Sequence, residues 1–233
     1  MKQASSKRKL QAMATRKKIF DAAIALVQER GIDGFTIDDI QERTGCSRGL
    51  FYNYFRSIND ILSEIIFVNE RQYQTIRDKY LAGTRGMEKI LLYTQYITEL
   101  HAHYEQKNFL RIHYINLLKN ESQRKHVRND NRLIYVVLLE ALGECQEDGK
   151  LVAGTDLKRA ASNIMVILRG AIFEYLLSDN AISYDITSRV AQLIAAYLSG
   201  IHIAGIRIAI PAIKQMDTNS ITSIEYFSNI CEN

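Results

Sequence analysis

Proline is almost missing from this chain of 233 residues: Pro211 is the only one. Glycine is sparse at 12 positions. No run of β-branched residues alternates with polar ones between turn clusters, which excludes a sheet-based fold. What is plentiful is Ala, Ile, Leu, Glu, Gln, Lys and Arg, so the chain reads as all-α. Cysteine is also scarce. Cys46, Cys145 and Cys231 are odd in number, widely spaced and without a CxxC pair. They fit reduced intracellular thiols better than a disulfide framework or a zinc site, with Cys46 expected as a small core residue. No apolar segment follows the basic start, so no secretory signal is expected, and the expected location is the cytoplasm.

Chemical motifs are missing as well. No Ser-His-Asp set, phosphate loop or paired carboxylate pattern stands out, so catalysis is not expected and no cofactor is implied. The "HAHYE" stretch invites a metal reading, but only His101 and Glu105 share a helix face while His103 points elsewhere, so no metal site is expected. Formal charge vanishes from Val190 to Ile206, a stretch near the lower limit for a membrane span. It nevertheless contains Gln192, Ser199, Gly200, His202 and Gly205 and lies between Arg189 and Arg207. A helix buried in a protein–protein contact, with no membrane, is the better expectation.

Charge is present in an uneven pattern. The net of +4 sits wholly in residues 1–80, which hold 14 Lys and Arg against 10 Asp and Glu, while the remaining 153 residues hold 16 of each. Lys2, Lys7, Arg8, Lys9, Arg16, Lys17 and Lys18 all precede the first acid, Asp21. A basic end on a neutral body suits a polyanionic partner at that end.

Periodicity places the helices. Ile19, Ala22, Ala23, Leu26 and Val27 mark the first, which stops at Gly31. Thr36 is placed to cap a short helix from Ile37 to about Arg43, with Asp38 and Asp39 in its first turn. Thr44-Gly45 ends it, and Ser47 caps a third helix running to Phe55. A longer amphipathic helix then carries Ile61, Leu62, Ile65, Ile66, Tyr73, Ile76 and Tyr80. Beyond residue 86 the expected helices are Met87–Tyr104, Asn108–Leu118 and about Ser122–Asp148, the last bent within "RKHVRNDN". Asp156 opens a helix to Leu177, and Asp185 or Thr187 opens a final one to Ile210, ended by Pro211.

The third helix is the most informative. On a helical wheel Leu50, Phe51, Tyr54 and Phe55 share one side, and Arg48, Gly49, Tyr52 and Asn53 share the other. Two short helices joined by a glycine turn, the second with a polar outer face, match helix-turn-helix DNA binding. Arg48 can read guanine or grip phosphate, Asn53 can read adenine, and Gly49 lets another backbone come close. The hydroxyls of Thr36, Thr44, Ser47, Tyr52 and Tyr54 complete the candidate DNA-binding set.

The stretch "AAIALVQERGIDGFTIDDIQERTGCSRGLFYNYFRSINDIL" resembles the N-terminal domain of the TetR family of bacterial transcriptional regulators. The likeness rests on an Ala-Ala helix, a Gly…Thr loop, an Asp-Ile helix, a Gly-x-Ser turn and a Leu/Phe-Tyr-x-x-Phe helix. Gln41 and Thr44 stand where small residues are common, Cys46 where valine is usual and Ile58 where lysine is frequent. The resemblance implies an N-terminal three-helix DNA-binding domain and a larger helical domain that binds a small molecule and dimerises. It divides the chain into a basic arm (1–15), a helix-turn-helix domain (16–62), a ligand-binding and dimerisation domain (63–210) and a tail (211–233). The implied partners are palindromic double-stranded operator DNA, a small-molecule effector and a second copy through helices at about 156–177 and 187–210.

The sequence agrees on dimerisation, because Ile164, Leu168, Ala171, Ile172, Tyr175 and Leu176 form a broad apolar face and the last helix is apolar almost all round. Tyr93, Tyr96, His101, Tyr104, His113, Tyr114, Arg169 and Glu174 are the candidate ligand-lining groups, since pockets combine apolar walls with a few polar anchors. A repressor released by its effector is the expected function. Two other readings stay open on the residues alone. One is a helical ligand-binding or enzymatic protein whose N-terminal hairpin is a partner contact, and the other is a peripheral membrane protein anchored by residues 190–206.

Overall fold

The computed structural model describes residues 2–31, 33–63, 65–102, 104–119, 121, 124–125, 129–178, 185–202 and 209–215. All regular elements among them are helical. They cluster into two units, one built on Met1–Val68 and Ile112–Gln123, the other on Asn69–Arg111 and Arg124–Asp217.

In the first unit α1 runs over Lys2–Arg30, so the basic segment expected as a separate arm continues the first helix. The reason is local: neither glycine nor proline occurs between Lys2 and Arg30. Gly31 ends the helix, its N–H donating to the Val27 carbonyl at 2.9 Å. α2 (Ile37–Thr44), α3 (Arg48–Tyr54) and α4 (Ile58–Ser63) follow. Ile19, Ala23 and Leu26 of α1, Ile40 of α2, Phe51, Phe55 and Ile61 are all essentially inaccessible to water. Burial of that kind contributes about 1.5–3 kcal/mol per large apolar side chain, which is what fixes such short helices. The expected long fourth helix is seen as α4 and α5 (Ile65–Tyr80), on either side of residue 64, which lies outside the described residues.

The second unit is organised around α6 (Gly86–Ala102), whose residues Ile90–Thr98 are buried all round. It packs against α8 (Leu133–Glu147), α9 (Leu157–Leu177) and α10 (Ile186–Ile201). α7 (Tyr104–Lys119) precedes them; its Lys107 and Arg111 donate to the Ser178 and Leu176 carbonyls at 2.6 and 3.0 Å. These cations satisfy carbonyls that the end of α9 leaves without helical partners.

The helix expected from about Ser122 is helical at residues 124–125 and again as α8 from Leu133, and the turn at Asn129–Arg132, in which the Asn131 N–H donates to the Asn129 Oδ1 at 2.9 Å, falls where the sequence predicts a bend. The last helix stops at Ile201 rather than Ile210. His202 turns extended at φ −91° and ψ 152° and bridges to Leu151, while the Val152 N–H donates to the Ile201 carbonyl at 3.0 Å. With 16 residues α10 falls short of the roughly 20 that a membrane span needs. By length and composition alone α9, with 21 residues, could span one. Its buried Ile164, Met165, Leu168 and Ile172 make it an ordinary core helix.

Candidate nucleic-acid interface

The geometry begins with a capping box. The Thr36 hydroxyl accepts from the Asp39 N–H at 3.3 Å, and the Asp39 carboxylate accepts from the Thr36 N–H and hydroxyl at 2.7 and 2.6 Å. Those two bonds from Thr36, followed by one from Arg30, hold the Asp39 carboxyl down at about 2. Thr36 therefore starts α2, and its hydroxyl is already engaged there. At the other end Gly45 takes φ 69°, the left-handed region, and its N–H closes onto the Gln41 carbonyl. Ser47 then caps α3, its Oγ accepting from the Leu50 N–H at 3.2 Å. Gly45, Cys46 and Ser47 are the whole turn between the two helices.

α3 divides as its wheel predicts. Phe51 and Phe55 are buried, with ring centroids 6.2 Å apart, and the Arg16 guanidinium lies 4.8 Å from the Phe55 ring centre. Leu50 and Tyr54 are half-buried, while Ser47, Arg48, Gly49, Tyr52 and Asn53 are exposed. Tyr52 keeps 48 % of its surface in water even though its ring meets Phe51 edge-on at 5.4 Å. An exposed tyrosine, arginine, asparagine and glycine on one short face form a surface that can follow a groove wall.

Thr44 departs from the expectation. Its side chain is buried, its hydroxyl donates to the Ile40 carbonyl at 2.7 Å and accepts from the Cys46 N–H at 3.2 Å. A hydroxyl turned inward in this way closes the turn and is not presented to a partner. Its carbonyl accepts from Lys18 Nζ at 2.6 Å. Thr44 thus fastens the turn to α1.

Other roles carried no signal in the sequence. Arg43 forms a two-point pair with Glu29 at 2.8 and 2.6 Å, which lowers the Glu29 carboxyl and raises the Arg43 guanidinium. Asp38, read from the sequence only as a helix-start acid, holds Arg48 Nη1 at 3.3 Å. Both partners are more than half exposed, so water screens the pair and a phosphate or guanine can displace it.

A methyl group added at Gly49 would meet nothing within 4 Å in the chain. The glycine is therefore not required by intrachain packing, and inside a helix it costs about 1 kcal/mol relative to alanine. Gly49→Ala is expected to raise the melting temperature while weakening DNA binding about tenfold, read by calorimetry and by titration on the same preparation. Higher stability with unchanged DNA affinity would show that no backbone approaches there.

The candidate ligand-lining residues do not form one group. Tyr93, Tyr96 and His101 are buried on α6. Arg169 is half-buried, 5.9 Å from the Tyr135 ring centre, whereas Glu174 is exposed on α9 and faces no interior. Its exposure gives Glu174 no place among buried lining groups. His113 and Tyr114, edge-on at 6.0 Å, belong to the first unit. The Tyr104 side chain and His103 lie outside the described residues. Among those described, no three His, Cys, Asp or Glu side chains gather where they could hold a metal ion.

Residues 19–65 match the family model for bacterial regulatory proteins of the tetR family. Over 197 residues the chain is 24 % identical to the probable acrEF/envCD operon repressor of Escherichia coli K12, covering 80 % of this chain and 86 % of that one. In fold it is similar to SmeT of Stenotrophomonas maltophilia in complex with triclosan, with a TM-score of 0.63 at 19 % identity over 87 % of this chain and all of that one. It is likewise similar to FadR of Bacillus subtilis in complex with stearoyl-CoA, with a TM-score of 0.60 at 21 % identity over 79 % and 98 %.

Proposed function

We propose that this chain, whose residues 19–65 match the tetR family of bacterial regulatory proteins, is a transcriptional repressor of that family which binds operator DNA as a homodimer and leaves it when a small molecule binds in its second unit. On this reading it is a binding protein without a catalytic role and works in the cytoplasm, where its DNA is.

The observation that carries the reading is the exposed face of α3. Arg48, Gly49, Tyr52 and Asn53 project from a helix that Phe51 and Phe55 lock to the core, so recognition groups stand on a rigid support. In the assembled dimer two copies of α3 lie about 34–36 Å apart and enter successive major grooves. Lys2, Lys7, Arg8 and Lys9 at the start of α1 add affinity that does not depend on sequence.

Dimerisation is supported by the outer sides of α9 and α10. Val166, Gly170, Phe173 and Leu177 recur at helical spacing along α9, and all four are exposed. Leu193, Ala196 and Gly200 do the same on α10. Added methyl groups at Gly170 and Gly200 would meet nothing in the chain, which leaves room for a second copy's backbone. Effector binding is supported by the fold, which in SmeT accommodates triclosan and in FadR stearoyl-CoA. An effector that prefers one conformer by about 1–3 kcal/mol is enough to change operator affinity 5- to 150-fold.

The test is selection of a palindromic duplex by the wild-type chain, followed by salt-titrated binding. Arg48→Ala is expected to lose about 10- to 100-fold in affinity for that duplex, with the folded state unchanged. Unaltered binding by Arg48→Ala removes α3 from the interface and leaves the hairpin a structural or partner contact.

A further inference from the structure

The interior of the second unit holds a polar cluster that the DNA-facing helices do not use. Tyr93 and His101 lie two turns apart on one face of α6. The Tyr73 hydroxyl of α5 and the His101 Nε2 are hydrogen-bonded at 3.1 Å, with the rings edge-on. Beside them Glu70 accepts from Arg132 Nε at 2.5 Å and from the Leu133 N–H at 3.3 Å, so that pair neutralises itself. Tyr93 is fully buried, and its hydroxyl has no hydrogen-bond partner among the described residues. A buried polar group left in that condition is destabilising, and native structures retain few of them without a use. The Gln95 carbonyl oxygen is also unpartnered among the described residues, but two positions along a helix turn it to the other side of α6.

Burial raises the Tyr93 phenol far above its ordinary range, with Tyr73 and Glu70 adding to the effect, so it stays protonated and can donate. Burial also holds the His101 imidazole down to about 4, so it is neutral. Ile76, three residues on from Tyr73 in α5, and Ile97, four on from Tyr93 in α6, are both fully buried. The cluster thus offers one idle donor, and the guanidiniums that act on it are engaged elsewhere: Arg132 with Glu70, Arg77 with Asp78 and Arg169 over the Tyr135 ring. An ionised ligand group would lose its water there and would have to compete for one of those cations.

We propose that the Tyr93 hydroxyl is the anchoring donor of the effector site, and that the effector is an uncharged, largely apolar molecule bearing one oxygen that accepts a hydrogen bond. The assignment rests on the reading of the chain as an effector-released regulator, and names the chemistry of that same site. One unmatched donor in a buried interior selects for an acceptor oxygen among hydrophobic molecules, because an analogue without it leaves the phenol unmatched.

Benzophenone and diphenylmethane make a matched pair of probes, since they differ by the carbonyl oxygen alone. Binding of each is measured calorimetrically to the full-length wild type and to Tyr93→Phe, together with the infrared carbonyl stretch of the bound ketone. The ketone is expected to bind the wild type about tenfold tighter than the hydrocarbon. In Tyr93→Phe that preference falls below about threefold, the carbonyl stretch returns toward its unbonded position, and the melting temperature stays level or rises. The proposal is overturned if neither probe binds the wild type, if the preference is the same in both proteins, or if Tyr93→Phe is less stable or unfolded. The last result would mean that the hydroxyl has a structural partner. Duplex selection with the same wild-type protein separates the two levels: an enriched palindrome alongside a failed ketone result sinks only the Tyr93 assignment. A wild-type chain that enriches no duplex sinks the regulator reading itself.

Discussion

On the proposed dimer, Phe173→Glu is expected to leave the protein monomeric and to lower its affinity for a selected palindromic duplex by at least about a hundredfold. The size follows from linkage. A dimer that has bound one half-site meets the second at high effective concentration, a gain of roughly 10²–10⁴ that a monomer forgoes. Phe173 already keeps 45 % of its surface in water, so a glutamate there leaves the isolated chain's core intact. In a dimer the same glutamate would be pressed against its own copy across a two-fold axis, where two unpaired carboxylates repel and lose water. Val166 at 65 % and Leu177 at 63 % exposure continue the stripe, and a contiguous exposed apolar stripe, unlike a lone apolar residue, marks an interaction surface. Sedimentation velocity gives the mass, and titration of the duplex gives the affinity. A variant that stays dimeric and binds as well as the wild type places the second copy on another face.

Acidification from pH 7 to 4.5 is expected to cost the second unit about 2–3 kcal/mol through His101 alone. The imidazole titrates at 6.5 when free and at about 4 in the folded chain, because burial penalises its charged form. Above about pH 6.5 both states are neutral there and the stability is fully present. As the pH falls toward 4, the unfolded chain takes up a proton that the folded chain refuses, and the difference is lost. Carboxylates such as Asp39, held at about 2 in the folded state, lose their stabilising contribution over a range that begins lower, near 4. Urea unfolding at the two pH values, compared between wild type and His101→Gln, isolates the histidine. Glutamine can keep a hydrogen bond to Tyr73 but cannot titrate, so its decline should be smaller by that amount. Equal declines would remove His101 from the account.

Much of the first unit was legible because local and global preferences agree there. Thr36 with Asp39, Gly45 and Ser47 each place a helix end by their own chemistry, and an alternation of faces sorted Phe51 and Phe55 from Tyr52 without any tertiary information. The failures arose where a side chain had two uses. Thr44 looked like a hydroxyl available to phosphate, but a buried hydroxyl next to a turn finds the Ile40 carbonyl first. Glu174 looked like a polar anchor on an apolar helix, and only packing tells which side of α9 faces inward. The final helix looked as long as its apolar run, yet a backbone pairing with Leu151 and Val152, some fifty residues earlier, ends it at Ile201.

What the sequence determined by itself was therefore the helical class, the helix-turn-helix with its outward face, and the basic N-terminal end. Those follow from interactions within a few residues: periodicity, caps, a glycine free to take positive φ, and the local count of charge. The tertiary structure decided which polar groups are spent inside the fold and which remain to be used. Pairing Asp38 with Arg48, joining Tyr73 to His101 and leaving Tyr93 buried without a described partner all depend on residues in different helices. Sequence spacing carries no information about such pairs, because hydrogen bonds and desolvation act over a few ångströms of space and not along the chain.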